Sequence, residues 1–241
     1  MIIFPAIDIK GGKCVRLLKG DFNNITEYDK SPVDQAHEFC SLGFYNIHLV
    51  DLDGALGKIS DNKNIIKEIA KKNKIKIQIG GGIKTLEHIR KLIDLGVDKV
   101  IIGTAGIDNI DFLKIACAKF NNKIALSLDV RKGYIALSGW KKQTNILASD
   151  YIKKIESINI SRIIYTDINK DGTKTGPNLQ DTVNLSSLTK IPIVVSGGVS
   201  SIEDVINIKK NKFKNIEGVI IGKAIYDGNI NIRELKKYYN A

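Results

Sequence analysis

The sequence runs to 241 residues, 43% of them hydrophobic, with 37 Lys and Arg against 26 Asp and Glu for a formal net charge of +11. That length and apolar content are enough for a large buried core, which excludes a disordered or fibrous chain. The lysines are spread over amphipathic segments and form no single tract, so the charge argues for attraction of small anionic ligands over a nucleic-acid-binding arm.

Residues 1–8 carry neither a basic leader nor a long apolar stretch, and no later run approaches the ~20 apolar residues of a membrane span. A soluble, cytoplasmic chain is expected. Cys14, Cys40 and Cys117 are odd in number and widely spaced, and none stands at metal-ligand spacing from His37, His48 or His88. Reduced thiols and no metal follow as expectations, and the chain is expected to act as a monomer on a small molecule.

In chain order, short β-branched runs fall at 2–7, 47–50, 75–79, 100–102, 124–130, 162–165, 191–195 and 218–221. Helical patterns lie between them, among others at 34–42, 64–72, 86–95, 111–119 and 202–210. The runs are apolar on both faces, as strands of a parallel sheet covered on both sides are. Eight βα units in this length predict an α/β fold, a single (β/α)8 TIM barrel over 1–241, with no linker at its midpoint. The loops after the first and fifth strands look like matched hairpins, at 13–18 and 133–138, and are candidate lids; Trp140 follows the second and could stack on a flat ring.

Laying the second four strands on the first reveals an internal repeat, with half-barrels of about 1–120 and 121–241. Asp8 matches Asp129, Asp51 matches Asp167, Gly82 matches Gly198 and Gly103 matches Gly222, at separations of 121, 116, 116 and 119 positions. The runs from Ile79 and from Val195, and those from Val100 and from Val219, also read alike. Whatever one half binds, the other is expected to bind too.

Glycines at strand ends ahead of helix starts give the close backbone approach and convergent N–H donors that a phosphate needs. Gly81-Gly82 with Gly103-Thr104 would form one such cup, and Gly197-Gly198 with Gly222-Lys223 the other. Cups half a barrel apart imply an elongated ligand with a phosphate at each end. Its reactive centre would then lie over the barrel axis, at Asp8 and Asp129, which end the first and fifth strands. One of these carboxyls must be raised from ~3.9 to act as an acid at neutral pH while the other stays ionised as a base. Residues 166–173, Thr-Asp-Ile-Asn-Lys-Asp-Gly-Thr, bring Thr166 and Asp171 to the same rim as further candidates. Arg16 and Ser196 complete the expected ligand-binding set.

Taken together, the motifs closely resemble the histidine-biosynthesis isomerase family, the phosphoribosylformimino-5-aminoimidazole carboxamide ribotide isomerases. The resemblance covers essentially the whole chain. It rests on Pro5-Ala6-Ile7-Asp8, Val15-Arg16-Leu17, Leu49-Val50-Asp51-Leu52-Asp53-Gly54-Ala55 and the Gly80-Gly81-Gly82 run. Leu128-Asp129-Val130-Arg131, Ser138-Gly139-Trp140, the 166–173 segment and Ser196-Gly197-Gly198 complete it. It implies an Amadori rearrangement, aminoaldose to aminoketose, on N'-[(5-phosphoribosyl)formimino]-5-aminoimidazole-4-carboxamide ribonucleotide, with no cofactor. Carried over motif by motif, Asp8 is the base and Asp129 the acid, with Asp171 a rival for the acid role. Lys84 and Lys170 depart from the arginines the family often carries, losing a planar two-pronged grip. Two related activities compete: the cyclase subunit of imidazole glycerol phosphate synthase, and a dual-substrate isomerase that also accepts phosphoribosylanthranilate. From a different class, a nucleic-acid binder built on the +11 charge would bind generic DNA or RNA tightly and salt-sensitively.

Overall fold

The computed structural model describes residues 1–58, 62–71, 74–211 and 213–239. Its strands in chain order are β1 (Ile2–Lys10), β2 (Lys13–Leu18), β3 (Asp21–Tyr28), β4 (Asn46–Asp51), β5 (Lys76–Gly80) and β6 (Lys99–Ile102). The second half supplies β7 (Ile124–Arg131), β8 (Tyr134–Leu137), β9 (Lys142–Leu147), β10 (Arg162–Asp167), β11 (Ile193–Ser196) and β12 (Ile216–Ile221). Eight of them pair in parallel and close a ring in the order β1, β4, β5, β6, β7, β10, β11, β12 and back to β1. This is the expected (β/α)8 barrel.

Strand parity decides what the barrel mouth contains, because alternate residues of a strand face opposite sides. On β1, Ile3, Ile7 and Ile9 join the large outer core under the helices, while Phe4 and Ala6 join the inner cluster with Ile101, Ala125, Ile164, Val194 and Ile220. Continuing the inward series puts Asp8 at the C-terminal end of β1 and Asp129 at that of β7, four strands round the ring. The same parity turns Thr166 of β10 and Ser196 of β11 inward. At the opposite end of the barrel, Arg162 is held by Gln78 (3.1 Å) and Glu217 (2.9 Å), a buried ion pair across the floor.

The helices begin where capping chemistry permits. Ser31, Thr85, Asn109, Asn178 and Ser201 each accept a hydrogen bond from a first-turn N–H, and Ser201 and Asp204 complete a reciprocal capping box. The helix predicted over 64–72 runs Lys63–Ala70; its expected last residue, 72, lies outside the described residues. Helix Pro32–Ser41 starts two residues ahead of expectation, since proline suits the first helical position. Helices Ala148–Ile155 and Leu179–Ser186 supply the crossovers in the second half.

Two of the repeat glycines are required by close packing of backbone on backbone. A Cβ on Gly82 would stand 1.9 Å from the Gly54 carbonyl oxygen, and one on Gly198 2.5 Å from that of Gly176. Gly82 also holds φ +65°. Gly82→Ala is therefore expected to cost about 3 kcal/mol or more, combining overpacking with a left-handed backbone. Gly57→Ala, at φ +75° with open space around it, should cost only about 1–2 kcal/mol. Urea unfolding of the two variants checks the difference.

Candidate active site

Each predicted lid is a full antiparallel hairpin, one strand longer than expected. β1 turns through Gly11-Gly12 into β2, and β7 turns through Lys132-Gly133 into β8; in both turns the two central residues have positive φ, the two-residue geometry that matches strand twist. β2 pairs with β3 across Lys19-Gly20, and β8 with β9 across residues 138–141. Because β1 and β7 stand on opposite sides of the ring, the hairpins reach towards each other over the mouth. Their tips meet: a Cβ on Gly20 would lie 2.2 Å from the Trp140 ring, and Lys141 Nζ lies 5.8 Å from the Phe22 ring centre. A cavity of about 300 Å³ opens between the tips, lined in part by Lys19, Phe22, Arg131, Trp140 and Lys141.

The tips are also tied to the rim. Lys19 N donates to the Asp171 carbonyl at 3.2 Å, and Ser138 N donates to Thr104 Oγ1 at 2.8 Å. Ser138, Gly139 and Trp140 all have positive φ, a conformation that costs on the order of 1–3 kcal/mol for a non-glycine residue and persists only when its surroundings hold it.

Beneath the tips three carboxyls converge. Asp8 Oδ2 is 2.9 Å from Arg16 Nη1, and Arg16 Nη2 donates to the Ala6 carbonyl. The guanidinium lies 4.8 Å over the Tyr226 ring and packs against Gly222. Burial raises the Asp8 carboxyl above the usual range, while Arg16 pulls it back towards the ionised form. Two of the Arg16 nitrogens are thus committed to Asp8 and to the β1 backbone, so its place is at the carboxylate as much as at the Gly222-Lys223 cup.

Asp129 sits among donors: Ser127 Oγ at 2.8 Å, the Trp140 indole N–H and the Thr166 hydroxyl. Burial raises its carboxyl as well and is the larger effect, while these three neighbouring donors pull it back down. Among the described residues Asp171 has no such set of donors. Burial and the negative charges of Asp8 and Asp129 push its carboxyl up to about 7, against the pull of Arg16 and Lys223. The 166–173 segment therefore places Asp171 within electrostatic reach of both other aspartates.

Asp51 and Asp167 stay out of the mouth. Asp51 accepts from Gly54 N (3.2 Å) and Asn62 Nδ2 (2.9 Å); Asp167 accepts from Asn169 N (2.9 Å) and Asn178 Nδ2 (2.7 Å). Each braces its own loop behind a glycine pair, and Asn62 and Asn178 share the 116-position offset of the aspartates they hold.

The glycine loops line the same rim on opposite sides, Gly81-Gly82 and Gly103-Thr104 after β5 and β6, Gly197-Gly198 and Gly222-Lys223 after β11 and β12. Gly103 (φ −108°, ψ −112°) and Gly222 (φ −113°, ψ −104°) share nearly one backbone conformation, each leading into a short helix whose first N–H groups lack intrahelical acceptors. Thr104 already accepts the Ser138 N–H. Lys84 is exposed, and Lys170 Nζ is 3.4 Å from Thr175 Oγ1.

Two side chains and one glycine at the site lie outside the motifs legible in the sequence. Ser127 faces inward two residues before Asp129, and strand parity alone could have found it. Tyr226, whose hydroxyl donates to the Ala6 carbonyl at 3.1 Å, and Gly20 depend on contacts distant in sequence. His48 faces inward too, its register partner on β1 being Ala6; burial lowers its pKa to about 3, so it is neutral, and its Nδ1 accepts from Gln78 Nε2 at 3.2 Å.

A closed parallel barrel thus carries three carboxyls at its C-terminal mouth, between opposed glycine loops, the end of the fold where barrel enzymes keep their active sites. Residues 2–231 match the family described as histidine biosynthesis protein. The chain belongs to that family. It is 56% identical over 242 residues, covering 100% of both chains, to a protein of Pelagibacter ubique named 1-(5-phosphoribosyl)-5-((5-phosphoribosylamino)methylideneamino) imidazole-4-carboxamide isomerase. Proteins of the same name from Oceanobacillus iheyensis (48% over 235 residues, 98% of this chain and 97% of that one) and Ruminiclostridium cellulolyticum (43% over 234 residues, 97% and 98%) are also similar.

Proposed function

We propose that this chain is the isomerase of histidine biosynthesis that converts the aminoaldose N'-[(5-phosphoribosyl)formimino]-5-aminoimidazole-4-carboxamide ribonucleotide to its aminoketose. The observation that carries the reading is the convergence of Asp8, Asp129 and Asp171 at the barrel mouth, in a chain whose full-length relatives bear that isomerase's name.

The rearrangement needs an acid and a base on one bound sugar. The acid protonates the furanose ring oxygen, the C1–O bond breaks, and the ring opens to a Schiff base between C1 and nitrogen. The base then takes the C2 proton, and the resulting enaminol becomes the ketose by gaining a proton at C1 and losing the one on the C2 hydroxyl. Asp8 suits the base, because Arg16 favours its ionised form. Asp171 suits the acid, because burial and the charges of Asp8 and Asp129 hold its proton up to about pH 7; Asp129, also raised by burial, has three neighbouring donors that favour its ionised form. On this reading Asp129 and Thr166 position the ligand, and the two glycine loop pairs take its two phosphates, with Lys223 beside the second. The matched turns, braces and glycine conformations support an origin in a duplicated half-barrel, about 1–120 and 121–241.

The purified chain should convert the aminoaldose to a product of unchanged mass bearing a ketose, without ammonia or a glutaminase. A requirement for ammonia together with cleavage of the ligand would replace the isomerase by the cyclase. Turnover of phosphoribosylanthranilate in the same assay would widen the substrate range to the dual-substrate isomerase.

A further inference from the structure

Gly20 occupies the second central position of the β2–β3 turn at φ +68°, and it touches the far hairpin more closely than a side chain would allow. A Cβ there would meet three atoms of the Trp140 ring at 2.2, 2.5 and 3.0 Å. The ring rests on the Gly20 backbone as in a notch. From that seat its indole N–H reaches Asp129, although Trp140 sits at φ +69°, a conformation a bulky residue rarely adopts unaided. The other ties of the tips, Lys19 N to the Asp171 carbonyl and Ser138 N to Thr104, leave the indole ring itself unplaced.

We infer that Gly20 is a positioning residue: the missing side chain lets Trp140 seat across the mouth, so that closure of one hairpin on the other sets the donor on Asp129. The inference rests on the isomerase reading for its catalytic consequence. The seat itself is independent of it, because it is read from the apposition of the two hairpins.

Trp140 is the single tryptophan of the chain, so intrinsic fluorescence reports this one ring. In Gly20→Ala the emission is expected to shift to the red and acrylamide quenching to rise, before any substrate is added. The same variant should lose kcat by about 10–100-fold with a smaller change in KM, since the ring acts on a reacting group's neighbour. Gly12→Ala is the control for the turn itself: it occupies the same turn position at φ +79°, with only Ile65 Cδ1 in ordinary contact at 3.8 Å. It should leave emission and quenching as in the unaltered chain.

Trp140→Phe, which removes the N–H and the two ring atoms nearest a Cβ at Gly20, Cε3 and Cζ3, should lower kcat to a similar extent, and adding Gly20→Ala to it should change little more. Unaltered emission and quenching in a folded Gly20→Ala chain would overturn the inference, as would equal shifts in Gly12→Ala or full multiplication of the two kcat losses in the double variant. Should Gly20→Ala alone fail to fold, the double variant with Trp140→Phe should fold; failure there too would show that the notch does not serve the ring. Absence of isomerase turnover in the unaltered chain would remove the functional reading while leaving the fluorescence comparison to decide the seat.

Discussion

Asp8→Asn is expected to reduce kcat by about 10³–10⁴-fold with KM changed by only a few-fold, the loss at the upper end of what one proton-transferring group supplies. The choice of asparagine matters. Asp8 is paired at 2.9 Å with Arg16, a side chain only 7% exposed, and removing the carboxylate outright would leave a buried guanidinium uncompensated at a cost of about 3–5 kcal/mol. Asparagine keeps an oxygen for Arg16 and the shape of the site, so what is removed is the ability to accept a proton. Binding of a bisphosphorylated product, measured by calorimetry, should stay near that of the unaltered chain. Turnover within a few-fold of normal would end the assignment of Asp8 as base.

What could be read in the sequence and what could not divide along a physical line. The barrel was legible because its strands are apolar on both faces and recur with helical patterns between them, a signal written into local residue types. Asp8 and Asp129 were legible because a carboxylate ending an apolar strand stands out, and parity fixes its direction. The glycine pairs were legible as a repeated pattern, but the reason for two of them was not: Gly82 and Gly198 answer to carbonyls of Gly54 and Gly176, contacts set by how loops nest in three dimensions. The second strands of the hairpins, β3 and β9, are not legible because both are exposed or half-buried and largely polar, with no fully buried position in either. Arg16 illustrates the same limit. It is expected among the ligand-binding residues, yet the fold carries β2 back along β1 so that residue 16 meets residue 8.

The same folding back decides which aspartate can donate. Asp171 is brought up against both other carboxyls by the 166–173 turn, and burial together with those charges holds its proton up to about pH 7. A general acid works only while protonated, so kcat/KM should fall as pH rises through about 7. The base works only while ionised, so activity should also fall as pH drops through the raised Asp8 value, giving a bell-shaped profile. Lys223 is among the groups that lower Asp171. A phosphate bound beside Lys223 offsets that pull with negative charge, so in the complex the Asp171 proton is held to higher pH, and the alkaline limb of kcat should lie above that of kcat/KM. Asp171→Asn should lower kcat by about 10²–10⁴-fold and abolish the limb near pH 7, because an amide cannot supply the proton. Asp129→Asn should instead keep that limb, moved to lower pH as one of the two repelling charges is lost. If Asp129→Asn were the variant to lose the alkaline limb and Asp171→Asn to keep it, the acid would be Asp129, and the perturbed carboxyl of Asp171 would be a consequence of crowding at the rim without a part in the chemistry.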